Sequence, residues 1–237
     1  MNQPEPDESA WLRERRVLAV SAGADMLSGV IQGLSDLGAR VTRLATLDAS
    51  SRASVAQAID AAIARDGQPD LVAMSVVPQE AVRVAPLADW SEAAWRAAAM
   101  DGLRTTMWLL QALGVHLKPT GGAVVMVAPS LSLVGAPELV ALSTLLEGQR
   151  GLLKSVARQW GANGVALNWI AAAPRALSPL FAEAPLAAKP DMVSVALGRA
   201  PDPRAEIAPV LSFLASKAGR VMTGATLMLD GGEWMVP

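Results

Sequence analysis

The sequence predicts one α/β domain built on a doubly wound parallel sheet with helices on both faces. Three observations predict it. Short apolar runs of strand length recur along the chain, each is followed by a longer stretch of helical period, and the 237 residues match a size that such layered folds reach without dividing.

Residues 1–16 (MNQPEPDESAWLRERR) read as a polar leader without the basic start and apolar stretch of an export signal, so a cytoplasmic location is expected. Residues 17–237 then form the domain. Val17–Ser21 is an apolar run suited to a buried parallel strand, and the helical pattern of residues 25–37 stops at Gly38. A strand at 40–47, a helix at 51–65 and a strand at 70–76 follow. The spacing next predicts a long helix at 91–117, a strand at 123–128, a helix at 138–161 and a strand at 165–171. A Pro- and Ala-rich excursion at 172–201 precedes a helix at 203–216 and a last strand at 225–229. The excursion sits where these folds carry a substrate lid; a surface loop over the sheet edge explains it equally well.

Composition narrows the function classes. With 52% hydrophobic and 18% charged residues, the chain has apolar surface to spare, and association with another subunit is expected. A net charge of -2 gives no basic excess for nucleic acid. Cysteine is absent and His116 is the single histidine, so no Cys/His metal site can be assembled. The longest uncharged run, Pro119 to Pro137, is broken by Gly121, Gly122 and Pro129 and reads as strand plus loop, so no membrane span is expected.

The segment LSFLASKAGRVMTGATLMLDGG, Leu211–Gly232, leads from a helix through Thr-Gly into a last strand ending in Asp-Gly-Gly. This resembles the C-terminal signature of the short-chain dehydrogenase/reductase family. LSDLGARV at 34–41, PLADWSEAAW at 86–95, GGAVVMV at 121–127, SLSLVGAPELVALS at 130–143 and GLLKSVARQWGANGVALN at 151–168 agree with it. The resemblance covers nearly the whole chain and implies a Rossmann-like sheet.

It also implies sites that this chain does not fill. Family members place three glycines after the first strand, where the backbone approaches the cofactor pyrophosphate at a helix N-terminus. Ala22, Met26 and Ser28 stand at those positions, with Gly23 and Gly29 out of register. The family's extra helix and strand are missing between Val41 and Ser51. Asp48 resembles the aspartate that contacts adenine, but a helix N-cap is the preferred account of it. The usual Asn-Asn-Ala-Gly is Met74, Ser75, Val76 and Val77, and the Pro-Gly turn beside the nicotinamide is Ala172 and Ala173. Aligning the family's catalytic helix puts Leu142 at the tyrosine and Leu146 at the lysine. Pro129 falls at the serine and Gly102 at the asparagine. No tyrosine occurs anywhere in the chain, and none of these four side chains moves a proton.

The expectation is therefore a catalytically inactive subunit without nicotinamide cofactor or metal, resembling the non-catalytic subunits of heteromeric dehydrogenases in this family. It would support an active alcohol or hydroxyacyl dehydrogenase paralogue through the helices at 91–117 and 138–161 and the C-terminal segment, with a homo-oligomer as a further possibility. The alternative is a nicotinamide-independent lyase or isomerase, or a small-ligand binder, reusing a cleft lined by Met26, Met74, Val76, Pro129 and Leu142. Ser130, Ser132 and Ser143 lie near the old site and Asp101 and Arg175 border it, but hydroxyls without a base are weak nucleophiles. His116 reads as a helix-end or surface residue, and Trp95 and Trp160 as packing or interface residues.

Overall fold

The computed structural model describes residues 11–44, 46–181 and 195–235. In chain order the main elements are β1 (Arg16–Gly23), α1 (Ser28–Asp36), β2 (Arg40–Leu44), α2 (Arg52–Asp66), β3 (Leu71–Val77) and α3 (Glu92–Trp95). A π turn at Arg96–Met100 joins α3 to α4 (Asp101–Thr120). Then come β4 (Gly122–Pro129), α5 (Val140–Trp160), β5 (Val165–Ala172), α6 (Pro174–Leu177), α7 (Ala208–Ala215) and β6 (Thr226–Leu229).

The strands form one six-stranded parallel sheet in the order β2-β1-β3-β4-β5-β6. β3, β4 and β5 are buried at every position, because helices cover both faces and leave no wet side for alternation. α1 and α7 pack together on one face; α2, α4 and α5 pack in series on the other. The doubly wound sheet expected from the strand-helix alternation is thus present. Among the described residues no strand stands between β2 and α2, in keeping with the short link read from the sequence.

Order reverses between β1 and β3, so the connections that leave their carboxyl ends run to opposite sides and leave a crevice there, the usual ligand position in open α/β sheets. Two packing details shape it. Gly33 allows close docking of the helical segment beginning at Pro203, since a Cβ there would lie 2.2 Å from the Arg204 carbonyl oxygen. Gly23, at φ +91°, lays the end of β1 on β3, where the Ala24 amide donates to the Val77 carbonyl at 2.7 Å.

Several boundaries differ from expectation. α1 starts at Ser28 rather than residue 25, because Asp25 turns back to accept from the first-turn amides. β2 ends at Leu44, where its pairing with β1 ends at Val20. The long helix is divided by the π turn and runs on to Thr120, with Pro119 in its last turn. Leu12, within the stretch read as leader, is fully buried. Of the 172–201 excursion, α6 and the residues from 195 on are described; 182–194 lie outside the described residues.

Candidate active site

At the α1 N-terminus, Asp25 Oδ1 accepts from the Leu27 amide at 3.1 Å and the Ser28 amide at 3.2 Å. Its Oδ2 takes the Ser28 hydroxyl and a guanidinium N–H of Arg43 at 2.9 Å. Burial alone would raise the Asp25 carboxyl, but Ser28, the Leu27 amide and Arg43 together outweigh it and hold the group below its ordinary range. Ala22 is half-buried, Met26 is buried in the core and Ser28 is exposed. A Cβ on Gly23 would lie 2.0 Å from the Val77 carbonyl oxygen, so the turn rests directly on β3. The residues present fit the pyrophosphate of a nicotinamide dinucleotide poorly: a carboxylate stands at the turn and takes the Leu27 and Ser28 amides.

Asp48 is not the helix cap. Ser51 caps α2, its hydroxyl accepting from the Ser54 amide at 3.1 Å. Asp48 instead accepts from the Ser50 amide at 2.9 Å, and hydrogen bonds from Ser50 and then Ser54 hold its carboxyl low. It folds the loop before α2 rather than starting the helix.

The four positions that the resemblance assigns to catalysis are closed. Leu142 and Leu146 are fully buried one turn apart on α5. Pro129 ends β4 in a fully buried strand. Gly102, in the first turn of α4, has its side-chain space taken: a Cβ would lie 2.8 Å from Pro78 Cδ and 2.9 Å from Leu145 Cδ1. A π turn, a distortion frequent at functional sites, ends at Met100, two residues before Gly102.

The cleft expected between Met26, Met74, Val76, Pro129 and Leu142 is not there, because these side chains pack against one another's surroundings and fill it; Met74 and Leu142 have no exposed surface. The open space lies beside them. A cleft of about 550 Å³ runs from Ala22 and Gly23 past Leu47 and Ser50 to Val76, Pro78, Asp101 and Thr105. Of the five, Val76 alone reaches it. Its rim is polar: Asp101 and Arg104 pair at 2.9 Å, and Glu80 and Gln79 stand nearby. The crevice is therefore more polar than the sequence suggested. A second hollow of about 440 Å³ lies between Met228, Gly231, Leu197 and Glu206. Close by, Asp230 organises the Asp-Gly-Gly turn by accepting from the Gly232 and Trp234 amides at 3.0 Å. Burial, then Asp230, raise the neighbouring Glu233 carboxyl, with Arg175 opposing.

Among the described residues, the hydroxyls of Ser75, Ser130 and Ser143 and Oε1 of Gln149 are buried without a partner. Gln149, which sequence reasoning did not single out, sits on α5 and donates Nε2 to the Val76 carbonyl and to Thr106 Oγ1, both at 2.8 Å. A glutamine on the apolar stripe one turn after Leu145 and Leu146 was the available signal. Asp25 and Arg43 were also missed; an aspartate three residues before the helical period begins is an N-terminal signature. His116 lies far from the strand tips, its Nε2 2.7 Å from Asp60 on α2. No group of three or more potential metal ligands, and no helix long and apolar enough to cross a membrane, occurs among the described residues.

A family model described as Enoyl-(Acyl carrier protein) reductase matches residues 13–233. The chain is 32% identical over 223 residues to a D-threitol dehydrogenase of Mycolicibacterium smegmatis, covering 92% of this chain and 82% of that protein. It is equally 32% identical over 215 residues to a cis-4-hydroxycyclohexanecarboxylate dehydrogenase of Sinomonas cyclohexanicum, covering 90% and 83%. In fold it is similar to a 3-ketoacyl-(acyl-carrier-protein) reductase from Brucella melitensis complexed with NADH, at TM-score 0.78 and 18% identity, covering 94% of this chain and 99% of that one.

These relatives overturn the expectation of an inactive subunit that only supports a partner, together with its alternative of a nicotinamide-independent lyase, isomerase or ligand binder. They are named dehydrogenases and reductases over nearly the full chain, and point to an oxidoreductase. The substituted positions show which side chains do not act; they do not show that none does.

Proposed function

The chain belongs to the short-chain dehydrogenase/reductase family, and from that premise we propose that it is an oxidoreductase acting on a small molecule that carries a hydroxyl or a ketone. The observation that carries this reading is the match over nine-tenths of the chain to relatives named for D-threitol and cis-4-hydroxycyclohexanecarboxylate, both hydroxylated carbon skeletons.

On this reading the substrate enters the open cleft of about 550 Å³, whose lining includes Ser50, Asp101 and Thr105. Ser130 and Ser143, whose hydroxyls are buried beside the closed positions, do not line it. The test is product formation: polyols and hydroxycycloalkane carboxylates are incubated with the wild-type chain and a panel of electron acceptors, and ketones are quantified by mass spectrometry. Ketone formed by the wild-type chain supports the reading; no ketone with any acceptor refutes it.

We also propose that two copies pair through the groove between α4 and α5. It measures about 640 Å³ and is lined by Met107, Leu110, Val115, Leu152 and Val156, with Val115 71% exposed. Sedimentation should show a dimer that Val115→Glu converts to monomer; a monomeric wild type refutes the pairing.

A further inference from the structure

The turn into α1 follows Ala22 and Gly23, which line the crevice. A nine-residue helix begins at Ser28 with its first amides free of intrahelical partners, and its partial positive charge favours an anion there. That place already holds one. Both oxygens of Asp25 are engaged, Oδ1 by the Leu27 and Ser28 amides and Oδ2 by the Ser28 hydroxyl and Arg43. Arg43 comes from β2, so the clamp ties the turn to the neighbouring strand, and its guanidinium lies 3.4 Å from Ser28 Oγ as well. The turn itself is pinned on both sides. Met26 is buried beneath it, and Ala24 is hydrogen-bonded to Val77 on β3. An incoming pyrophosphate would meet a like charge, lose the Leu27 and Ser28 amides to it, and have to compete with it for Arg43.

We infer that the Asp25 carboxylate, clamped by Arg43, is the resident anion of this turn and keeps phosphate-bearing dinucleotides out of it. The inference rests on the family assignment and goes beyond the oxidoreductase reading, since it concerns how the crevice treats a cofactor. The 550 Å³ cleft, lined by Ser50, Asp101 and Thr105 among others, is not lined by Asp25 or Arg43. Exclusion is therefore local to the phosphates.

The test uses the full chain and inorganic pyrophosphate, with the amide resonances of Leu27 and Ser28 as reporters. In the wild type these resonances should stay in place, whereas in Asp25→Ala they should shift with saturation, the affinity rising about tenfold or more, equivalent to about 1.4 kcal/mol. Shifts in the wild type overturn the inference, and so does silence in both proteins. Should Asp25→Ala fail to fold, Arg43→Met keeps the cap and removes the clamp: the Asp25 carboxyl should then titrate at higher pH, and an unchanged titration overturns the clamp. NADH titrated into the wild type should give no saturable tryptophan-to-nicotinamide energy transfer, and micromolar saturation overturns the exclusion. Turnover at micromolar NAD+ would sustain the oxidoreductase reading and overturn this one; turnover with an artificial acceptor and none with NAD+ sustains both.

Discussion

Placing a lysine at Leu146 tests whether the family's catalytic pocket is sealed in this chain. Leu146 has no exposed surface, on the buried stripe of α5. An amine held there is disfavoured as ammonium, and full burial lowers a lysine pKa by about 3–5 units from about 10.4. Each unit is about 1.4 kcal/mol, so a fall of 3 units costs about 4 kcal/mol near neutral pH, a large part of an ordinary stability of about 5–15 kcal/mol. The sign follows from linkage. Between the two pKa values the unfolded chain binds a proton that the folded chain releases, so stability rises with pH at about 1.4 kcal/mol per unit. The penalty is complete below the folded pKa and vanishes as the pH approaches about 10.4. Urea unfolding of Leu146→Lys beside Leu146→Met, followed by circular dichroism from about pH 7 to pH 9.5, reads both the size and the slope. A difference under about 1 kcal/mol, or one flat with pH, would show the amine reaching water and refute the sealed pocket.

Other outcomes follow from single contacts. Gly33→Val should separate α1 from the helical segment that begins at Pro203, because a Cβ at residue 33 already falls 2.2 Å from the Arg204 carbonyl oxygen; overpacking of about 1–3 kcal/mol lowers the melting midpoint by roughly 2–10 °C, and an unchanged midpoint refutes it. Gln149→Leu removes the donor to the Val76 carbonyl at 2.8 Å and should cost about 1–3 kcal/mol in urea unfolding; a neutral result would mean another donor takes over. Glu206 is held at about 2, from an ordinary 4.5, by its hydrogen bond to Arg199 and then by the Asp202 amide. Its folded pKa is depressed, so the contribution is full above 4.5 and is lost as pH falls through about 2. Arg199→Met should move the NMR titration of this carboxylate up towards 4.5, and an unmoved titration refutes the pairing.

The frame of the molecule was legible because apolar runs of strand length and helical periods report burial, and burial is what the sheet and its helices share. The short link between β2 and α2 was readable for the same reason, as a strand-helix unit with no residues to build it. What remained illegible was which way an apolar side chain near the crevice would face. Met26, Met74, Pro129 and Leu142 are equally good as walls of a cavity or as its filling, and only their packing settles it as filling. The π turn before Gly102 left no mark either, since Ala97, Ala98 and Ala99 suit an α-helix as well. Asp25 was misread as helical because its role depends on Arg43, a strand away, and pairwise chemistry across the sheet has no period.

The shortened link also decides what the sheet shows to the solvent. Among the described residues β2 is a rim of the sheet, with a row of backbone donors and acceptors that another chain could join. It spans five residues and places Arg40 and Arg43 outward, one paired with Glu14 and the other with Asp25. Charged side chains on a short rim discourage strand addition. Losing Arg43 removes one of these two charges, so a variant without it is expected to aggregate more readily, which light scattering would read.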